Sequence, residues 1–150
     1  MNTFVRTTSA NKDFLHLVKY LDADLAIRDG DDHAFHAQYN KSDTIKHVLV
    51  AYHNKTAVGC GAFKHYDAQT AEIKRMYVSP ECRGQGIATA LLTQLEQWAR
   101  ELTYTHAILE TGDKYPEAIA LYKKNGYTRI PNYGQYIPIK SSRCFKKELT

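Results

Sequence analysis

The chain has 150 residues, a formal net charge of +4 and 43% apolar residues, values that are ordinary for one soluble globular domain. No segment approaches the roughly 20 apolar residues of a membrane-spanning helix, and the N-terminal residues lack the apolar run of a signal peptide. Cys60, Cys82 and Cys144 lie too far apart for a Cys-x-x-Cys motif, so reduced thiols in the cytoplasm are predicted. The mild positive charge suits an anionic small ligand and predicts neither nucleic-acid nor membrane binding.

The first third of the chain predicts an edge strand followed by two helices. Residues 4–7 are typical of a strand, and Asp13 to Ile27 carries apolar residues at helical spacing, with Ser9 or Asn11 as its N-cap. A short helix is predicted from Asp31 to Tyr39. Aspartates in this helical pair indicate either an acidic rim that attracts a cationic amine or, more simply, caps and a solvated face; they are Asp22, Asp24, Asp29, Asp31 and Asp32. Two histidines here lack a partner at metal-ligand spacing and are assigned to the surface or to packing, His33 and His36.

The middle third predicts three antiparallel strands and a helix. The first two strands, Lys46 to His53 and Ala57 to His65, are joined by a hairpin turn at Asn54-Lys55. A central strand follows from Thr70 to Val78 and is ended by a proline two residues later. Apolar residues at steps of three or four then predict a helix from Ile87 to Leu102.

The segment RGQGIA, residues 83–88, lies between the central strand and this helix. Gly84 and Gly86 allow left-handed backbone angles and a close approach of a ligand to the main chain. The amides of residues 83–88 are expected to point outward at the positive end of a helix, which is an anion site. A dinucleotide-binding G-x-G-x-x-G motif is excluded because Thr89 replaces the third glycine, and no P-loop Gly-Lys-Ser/Thr follows. An ordinary strand–turn–helix corner is the alternative.

The last third predicts a strand, a helix and two closing strands. Thr105 to Thr111 is apolar, and the right-handed crossover rule places it parallel to the central strand. Pro116 and Asn125-Gly126 mark the two ends of a helix. The closing strands are predicted at Tyr127 to Ile130 and Ser142 to Leu149.

Two of these segments resemble signatures of the GNAT-type N-acetyltransferase superfamily. They are MYVSPECRGQGIA, at the glycine loop, and PEAIALYKKNGYTRI, a helix that carries Tyr122 and ends at a glycine–aromatic pair. The final CFKKEL is similar to the last strand of that family. The resemblance implies one α/β domain over residues 1–150. Its mixed, mostly antiparallel sheet would have six to seven strands splayed at the centre, with about four helices.

The resemblance also implies that acetyl-CoA is the co-substrate and that it lies in the gap of the splayed sheet, without a metal. Its pantetheine is expected on the central strand and its pyrophosphate on the glycine loop. The cofactor-binding residues implied in this way are Met76, Tyr77, Val78, Arg83, Gly84, Gln85, Gly86, Ile87, Ala88, Thr89 and Tyr122. Tyr115 stands where family members often have an asparagine that contacts pantetheine, so that contact is not expected here.

Amine attack on a thioester needs a neutral nucleophile, whereas an alkyl ammonium has a pKa near ~10, so a general base or a water relay is required. Glu72, expected on the same face as Lys74 and Met76, matches a catalytic glutamate of some family members. A cross-strand ion pair with a lysine is the alternative. Glu110 and His65 are further candidate bases.

Three further roles are carried over or inferred for the acyl-transfer site. Tyr122 matches the family tyrosine that protonates the leaving thiolate, although simple packing also explains it. The Val78 amide matches the usual donor to the carbonyl oxygen. Tyr133 and Tyr136 are predicted to line the pocket of the acceptor, and ordinary turn packing is their alternative.

These features predict an N-acetyltransferase that moves an acetyl group from acetyl-CoA directly to a primary amine of a small molecule or peptide. A non-catalytic acyl-CoA-binding sensor is the alternative. A nucleic-acid-binding domain is disfavoured because the chain has no clustered basic stripe. The sequence leaves open the acceptor, the acyl-chain specificity and a homodimer.

Overall fold

The computed structural model describes residues 1–30 and 44–149. Within these ranges seven strands form one sheet in the order β1-β2-β3-β4-β5-β7-β6. The strands are β1 (Asn2–Thr7), β2 (His47–His53), β3 (Thr56–Asp67), β4 (Thr70–Val78), β5 (His106–Gly112), β6 (Thr128–Ile130) and β7 (Ser142–Glu148). Every neighbouring pair is antiparallel except β4 and β5, which are parallel. The predicted mixed sheet is confirmed.

Three helices in the described ranges cover the two faces of this sheet. They are α1 (Lys12–Asp29), α2 (Ile87–Glu101) and α3 (Pro116–Lys124). The apolar side chains of α1 pack on one face, and those of α2 and α3 pack on the other. Of the two candidate caps for α1, Asn11 is the one used, because its side chain accepts a hydrogen bond of 2.9 Å from the Phe14 amide.

Part of the predicted helical pair lies outside the described residues. This applies to the short helix from Asp31 to Tyr39, with Asp32, His33 and His36. Within the described ranges, no helix has both the length and the apolar character needed to span a bilayer.

A bulge at Arg75 changes which face of the sheet the end of β4 presents. Arg75 has φ +60°, and the register between β3 and β4 shifts between Cys60 and Ala62. Lys74 lies opposite Ala62 beneath α1, whereas Met76 packs on the side of α2. The predicted common face of Glu72, Lys74 and Met76 is therefore wrong for Met76, because the extra residue reverses the alternation.

The central strands diverge after three residue pairs. β4 and β5 pair at Thr70–His106, Ala71–Ala107 and Glu72–Ile108 only. Beyond that point β4 continues along β3 and β5 continues along β7. Each strand is thus held by its outer neighbour, and the gap that the family resemblance implied opens between them.

Candidate active site

A cavity of about 340 Å³ lies where β4 and β5 diverge. On the side of α2 and α3 its wall is mostly apolar and contains Ile73, Met76, Val78, Ala88, Ala118, Leu121 and Tyr122. On the side of α1 charged groups dominate, and the wall contains Leu21, Asp24, Leu25, Arg28, Lys74, Arg75 and Glu110. The gap therefore joins an apolar half to a charged half.

The glycine loop places a row of unpaired amides at one end of this cavity. Gly84 and Gly86 have φ +78° and +82°, and a Cβ on either would meet nothing within 4 Å. In the described part of the chain, the amides of residues 84–89 have no acceptor. The first backbone hydrogen bond of the helix is donated by the Ala90 amide to the carbonyl of Gly86, the residue before α2. The Arg83 amide differs from the prediction because it donates to the Pro80 carbonyl at 3.3 Å.

The side chain of Arg83 braces the loop against the end of β4. Its Nε donates to the Val78 carbonyl at 2.8 Å, and its guanidinium lies 5.6 Å from the centre of the Tyr77 ring. The Ser79 amide donates to Val58 on β3. Because successive amides along a strand point to opposite sides, the Val78 amide faces the gap. This is the position expected of a donor to a carbonyl oxygen bound there.

Tyr122 enters the cavity from α3. The residue is 7% exposed and packs against Tyr127 and Phe145, with ring centres 5.9 and 6.4 Å away. Burial raises the pKa of Tyr122 above its usual value, and the negative charge of Glu110 adds to this effect. The hydroxyl group consequently stays protonated throughout the physiological range.

The predicted base Glu72 is hydrogen-bonded at the closed end of the gap. The Tyr133 hydroxyl donates to Glu72 Oε2 at 2.6 Å. Burial, followed by the charge of Glu72, raises the pKa of Tyr133, so this hydroxyl remains a donor. Lys64 lies directly opposite Glu72 on β3, as the ion-pair alternative required, yet the hydrogen bond goes to Tyr133. Glu72 itself is not part of the cavity wall.

Lys74 and Glu110 face each other across the opening of the gap on the α1 side. Lys74 Nζ donates to the Tyr136 hydroxyl at 3.3 Å, and Ser142 Oγ donates to Glu110 Oε2 at 2.6 Å. Burial lowers the pKa of Lys74, while the charges of Glu72 and Glu110 oppose that shift. The result is a group of two carboxylates around one lysine.

The two tyrosines predicted to line the acceptor pocket belong to this group instead of the cavity wall. Tyr136 is 1% exposed, and its ring centre lies 5.6 Å from that of Tyr133. Both hydroxyls are directed at the charged side chains, Tyr133 at Glu72 and Tyr136 at Lys74. His65, the other candidate base, is hydrogen-bonded to the Tyr104 hydroxyl at 2.8 Å and does not line the cavity.

The end of α1 is fastened to the loop before α3. The Tyr115 hydroxyl donates to Asp29 Oδ1 at 2.7 Å, and the Arg28 guanidinium lies 4.2 Å from the centre of the Tyr115 ring. Arg28 also forms an ion pair with Glu117, and Lys114 Nζ donates to the Asp29 carbonyl at 3.2 Å. Tyr115 therefore holds α1 over the gap, at the position where the resemblance led us to expect an asparagine.

The aspartates of α1 that the structure describes are paired within the protein. Asp22 Oδ1 accepts from Arg75 at 2.6 Å, and Asp24 lies 3.9 Å from Arg28. Asp29 is bonded to Tyr115, so each of these three carboxylates has a partner within the protein, while Asp24 and Asp29 also line the cavity. Arg75 was not singled out in the sequence because nothing local shows that its side chain is 2% exposed.

A contact between α3 and the glycine-loop helix was also not predicted. Asn125 Nδ2 donates to the Leu121 carbonyl at 2.8 Å and to Thr89 Oγ1 at 3.2 Å. Because the carbonyl can only accept, this contact fixes which end of the Asn125 amide carries the nitrogen. The helix that carries Tyr122 is thus tied to the first turn of α2.

Comparison with known proteins identifies the family. The model of the acetyltransferase (GNAT) family matches residues 15–127. The chain belongs to this family. An IAA acetyltransferase of Azospirillum brasilense is 38% identical over 102 residues, which cover 67% of each chain. An uncharacterized N-acetyltransferase of Schizosaccharomyces pombe is 36% identical over 55% of this chain, which spans only 52% of that relative's length.

Solved structures of GNAT proteins share the complete fold. A Klebsiella pneumoniae protein provisionally named an acyl-CoA N-acyltransferase has a TM-score of 0.83 and 30% identity, over 100% of this chain and 99% of its own. A GNAT acetyltransferase of Elizabethkingia anophelis, solved with acetyl-CoA bound, has a TM-score of 0.69 and 18% identity, covering 98% and 97%. The predicted family, GNAT fold and N-acetyltransferase class are therefore confirmed.

Proposed function

We propose that this GNAT protein transfers the acetyl group of acetyl-CoA directly to a primary amine. The observation that supports this best is a cavity between diverging strands, with unpaired amides at one end and with Tyr122 and Glu110 in its wall. Acetyl-CoA, which is bound in the Elizabethkingia neighbour, supplies an activated acyl group and a diphosphate that needs such amides.

The glycine loop fits a diphosphate for a reason that is independent of the family. Gly84 and Gly86 leave open space where any side chain would project, so a ligand can approach the main chain. The six amides of residues 84–89 supply donors at the positive end of α2. On the cavity side, Met76, Tyr77 and Val78 offer the strand backbone for the pantetheine arm.

The chemical roles follow from the positions of the side chains. A carboxylate, either Glu72 or Glu110, accepts a proton so that the amine becomes nucleophilic. The Val78 amide donates to the carbonyl oxygen on which negative charge develops. Tyr122 donates its proton to the leaving sulfur, and Tyr133 with Tyr136 keeps the charged group at the acceptor end in place.

The alternative is a sensor that binds acyl-CoA without turnover. An amine library of polyamines, amino acids, aminoglycosides and peptides, assayed for released CoA thiol, separates the two. Turnover with one class of amine is expected. Silence across the library, together with CoA binding measured by calorimetry, would establish the sensor instead. A location in the cytoplasm is supported by Cys60, Cys82 and Cys144, all of which are free thiols; a homodimer stays a prediction.

Asn125→Ala is expected to lower kcat/KM for acetyl-CoA about fivefold, which is roughly 1 kcal/mol. Asn125 donates to Thr89 Oγ1, so the hydroxyl of Thr89 must accept there and can direct its own proton at a phosphate. Acetyl-pantetheine, which lacks the diphosphate, should lose less than twofold.

Thr89→Val provides the partner variant for this prediction. If Asn125 acts through Thr89, the double variant should lose no more than Thr89→Val alone. Equal losses with acetyl-CoA and acetyl-pantetheine would show that Asn125 only stabilises α3.

A further inference from the structure

We propose that Glu110 on β5, and not Glu72 on β4, is the carboxylate that takes the proton from the acceptor amine. This inference rests on the proposed transfer reaction and identifies one of its catalytic residues.

The point at which the strands diverge separates the two carboxylates. Glu72 pairs with Ile108 in the last parallel pair of β4 and β5. Glu110 lies two residues beyond Ile108, where β5 no longer pairs with β4. Glu110 consequently lines the cavity, whereas Glu72 does not.

Glu110 also faces the charged half of the cavity. Its neighbour Leu109 pairs with Phe145, and both belong to the apolar core under α2 and α3. Because side chains alternate along a strand, Glu110 points to the opposite side, where Lys74 and Arg28 contribute to the same wall.

The hydrogen bonds give the two carboxylates different tasks. Glu72 Oε2 is bound at 2.6 Å by Tyr133, a hydroxyl from the loop that precedes β7. This contact fixes Glu72 as a support for the Tyr133–Tyr136 pair and as a counter-charge for Lys74. Glu110 Oε2 is bound at 2.6 Å by Ser142, which is fully buried. Ser142 belongs to β7, which pairs with β5 on the side away from the cavity, so this contact orients Glu110 without occupying the gap.

The negative charge of Glu110 acts on Tyr122, the proposed acid. Burial raises the pKa of Tyr122, and the negative charge of Glu110 raises it further. Other titratable groups that face Glu110 are Lys74 and Glu72 from β4, Tyr136 from the loop before β7, and Cys144 from β7. From α1, Asp24, Arg28 and Asp29 border the same cavity. A base and an acid thus flank one gap from β5 and α3.

The proton balance of the reaction assigns one proton to each group. The acceptor ammonium gives one proton to Glu110, and the amine nitrogen then bonds to the acyl carbon as the C–S bond breaks. The sulfur takes the proton of Tyr122, and the second proton of the nitrogen restores Tyr122. Glu110 releases its proton to solvent, so one net proton leaves per turnover.

The experiment compares Glu110→Gln with Glu72→Gln in the full chain, from pH 6 to pH 10. The acceptors are the most active primary alkylamine of the library screen and hydroxylamine, which is already neutral at pH 7. For the alkylamine at pH 7, Glu110→Gln should lower kcat/KM about 100-fold. This deficit should shrink toward pH 10, because the neutral amine then becomes abundant without a base.

The matched variant and the second acceptor decide the outcome. Any loss in Glu72→Gln should be the same for the alkylamine and for hydroxylamine at every pH, because Glu72 supports Tyr133 and does not take the proton. Glu110→Gln should lose less than about threefold with hydroxylamine, which needs no base. A loss in Glu72→Gln that is confined to the alkylamine and shrinks toward pH 10 overturns the inference. So does a loss in Glu110→Gln that is equal for both acceptors at every pH, because that pattern reflects structural damage.

Further measurements distinguish the loss of a base from misfolding and from a protein that binds CoA without turnover. CoA affinity, measured by calorimetry, should be unchanged in both variants. If Glu110→Gln fails to fold, Glu110→Asp replaces it and should retain measurable activity with the pH profile of the wild type; an altered profile would count against Glu110. Wild-type protein that binds CoA but acetylates no amine would instead overturn the proposed function, and this inference with it.

Discussion

Tyr122→Phe is expected to lower kcat about 1,000-fold, within the range that general acid–base catalysis contributes, while CoA affinity stays within about threefold. The substitution removes one hydroxyl from a side chain that is 7% exposed and packed between Tyr127 and Phe145. Phenylalanine fills the same space, so the loss would report the missing proton donor. Steady-state release of CoA thiol and calorimetry with CoA measure the two quantities.

The pH dependence of this variant tests the same role. Burial, and then the charge of Glu110, raises the pKa of Tyr122. A raised pKa keeps the hydroxyl protonated as the pH rises, so Tyr122 should cause no decline in wild-type kcat between pH 7 and pH 9. The ratio of wild-type to variant activity should be constant over that interval. Unchanged turnover of Tyr122→Phe at all pH values would remove Tyr122 from the mechanism.

Tyr104→Phe is the matched control for the loss of a phenol. The Tyr104 hydroxyl bonds to His65 Nδ1 at 2.8 Å, and neither residue lines the cavity. The kcat of Tyr104→Phe should stay within about twofold of wild type, because the lost hydroxyl lies outside the cavity. Loss of its partly exposed hydrogen bond should cost only about 1 kcal/mol of folding stability.

The secondary structure was accessible from the sequence because its signals are local. The predicted central strand and the observed β4 share the bounds Thr70–Val78, and the predicted helix start at Ile87 is the first residue of α2. Apolar residues recur every two residues in the strand and every three to four in the helix. In both cases the end of that pattern coincides with a proline or a glycine. The parallel placement of β5 followed from the handedness of crossovers alone.

The bulge at Arg75 was not accessible in this way. A bulge adds one residue to one strand, and the sequence of β4 alternates as if nothing were inserted. The partner of Arg75, Asp22, is 53 residues away on α1. The burial of the Arg75 guanidinium depends on a residue at that distance. No local pattern could therefore indicate the bulge at Arg75 or the change of face at Met76 that follows from it.

The two halves of the candidate site differ for the same reason. The glycine loop was recognised because its residues are adjacent and match a family signature. The acceptor side is built from contacts between distant residues, such as Tyr133 with Glu72, 61 positions apart, and Ser142 with Glu110, 32 apart. Sequence reasoning could name Glu72 and Glu110 as bases, but choosing between them required the point at which β4 and β5 separate.

Gly86→Ala is expected to weaken CoA binding about 10- to 100-fold, measured by calorimetry. Gly86 has φ +82°, and its missing Cβ leaves open space beside unpaired amides. A methyl group there would hold a phosphate away from the main chain, and one hydrogen bond to a charged group is worth about 1.5–3 kcal/mol. Backbone strain adds a separate loss of stability of roughly 1–2 kcal/mol.

Gly134→Ala separates the strain from the lost contact. Gly134 also has a positive φ, +53°, and a Cβ on it would likewise meet nothing within 4 Å, but it lies in the loop before β7, away from the amides of residues 84–89. Both variants should lose similar stability in thermal unfolding, since both force alanine into the left-handed region. CoA affinity should fall only in Gly86→Ala. Equal affinity in the two variants would mean that the main chain at α2 does not bind the diphosphate, because a ligand gripped there must compete with the added methyl group for the same space.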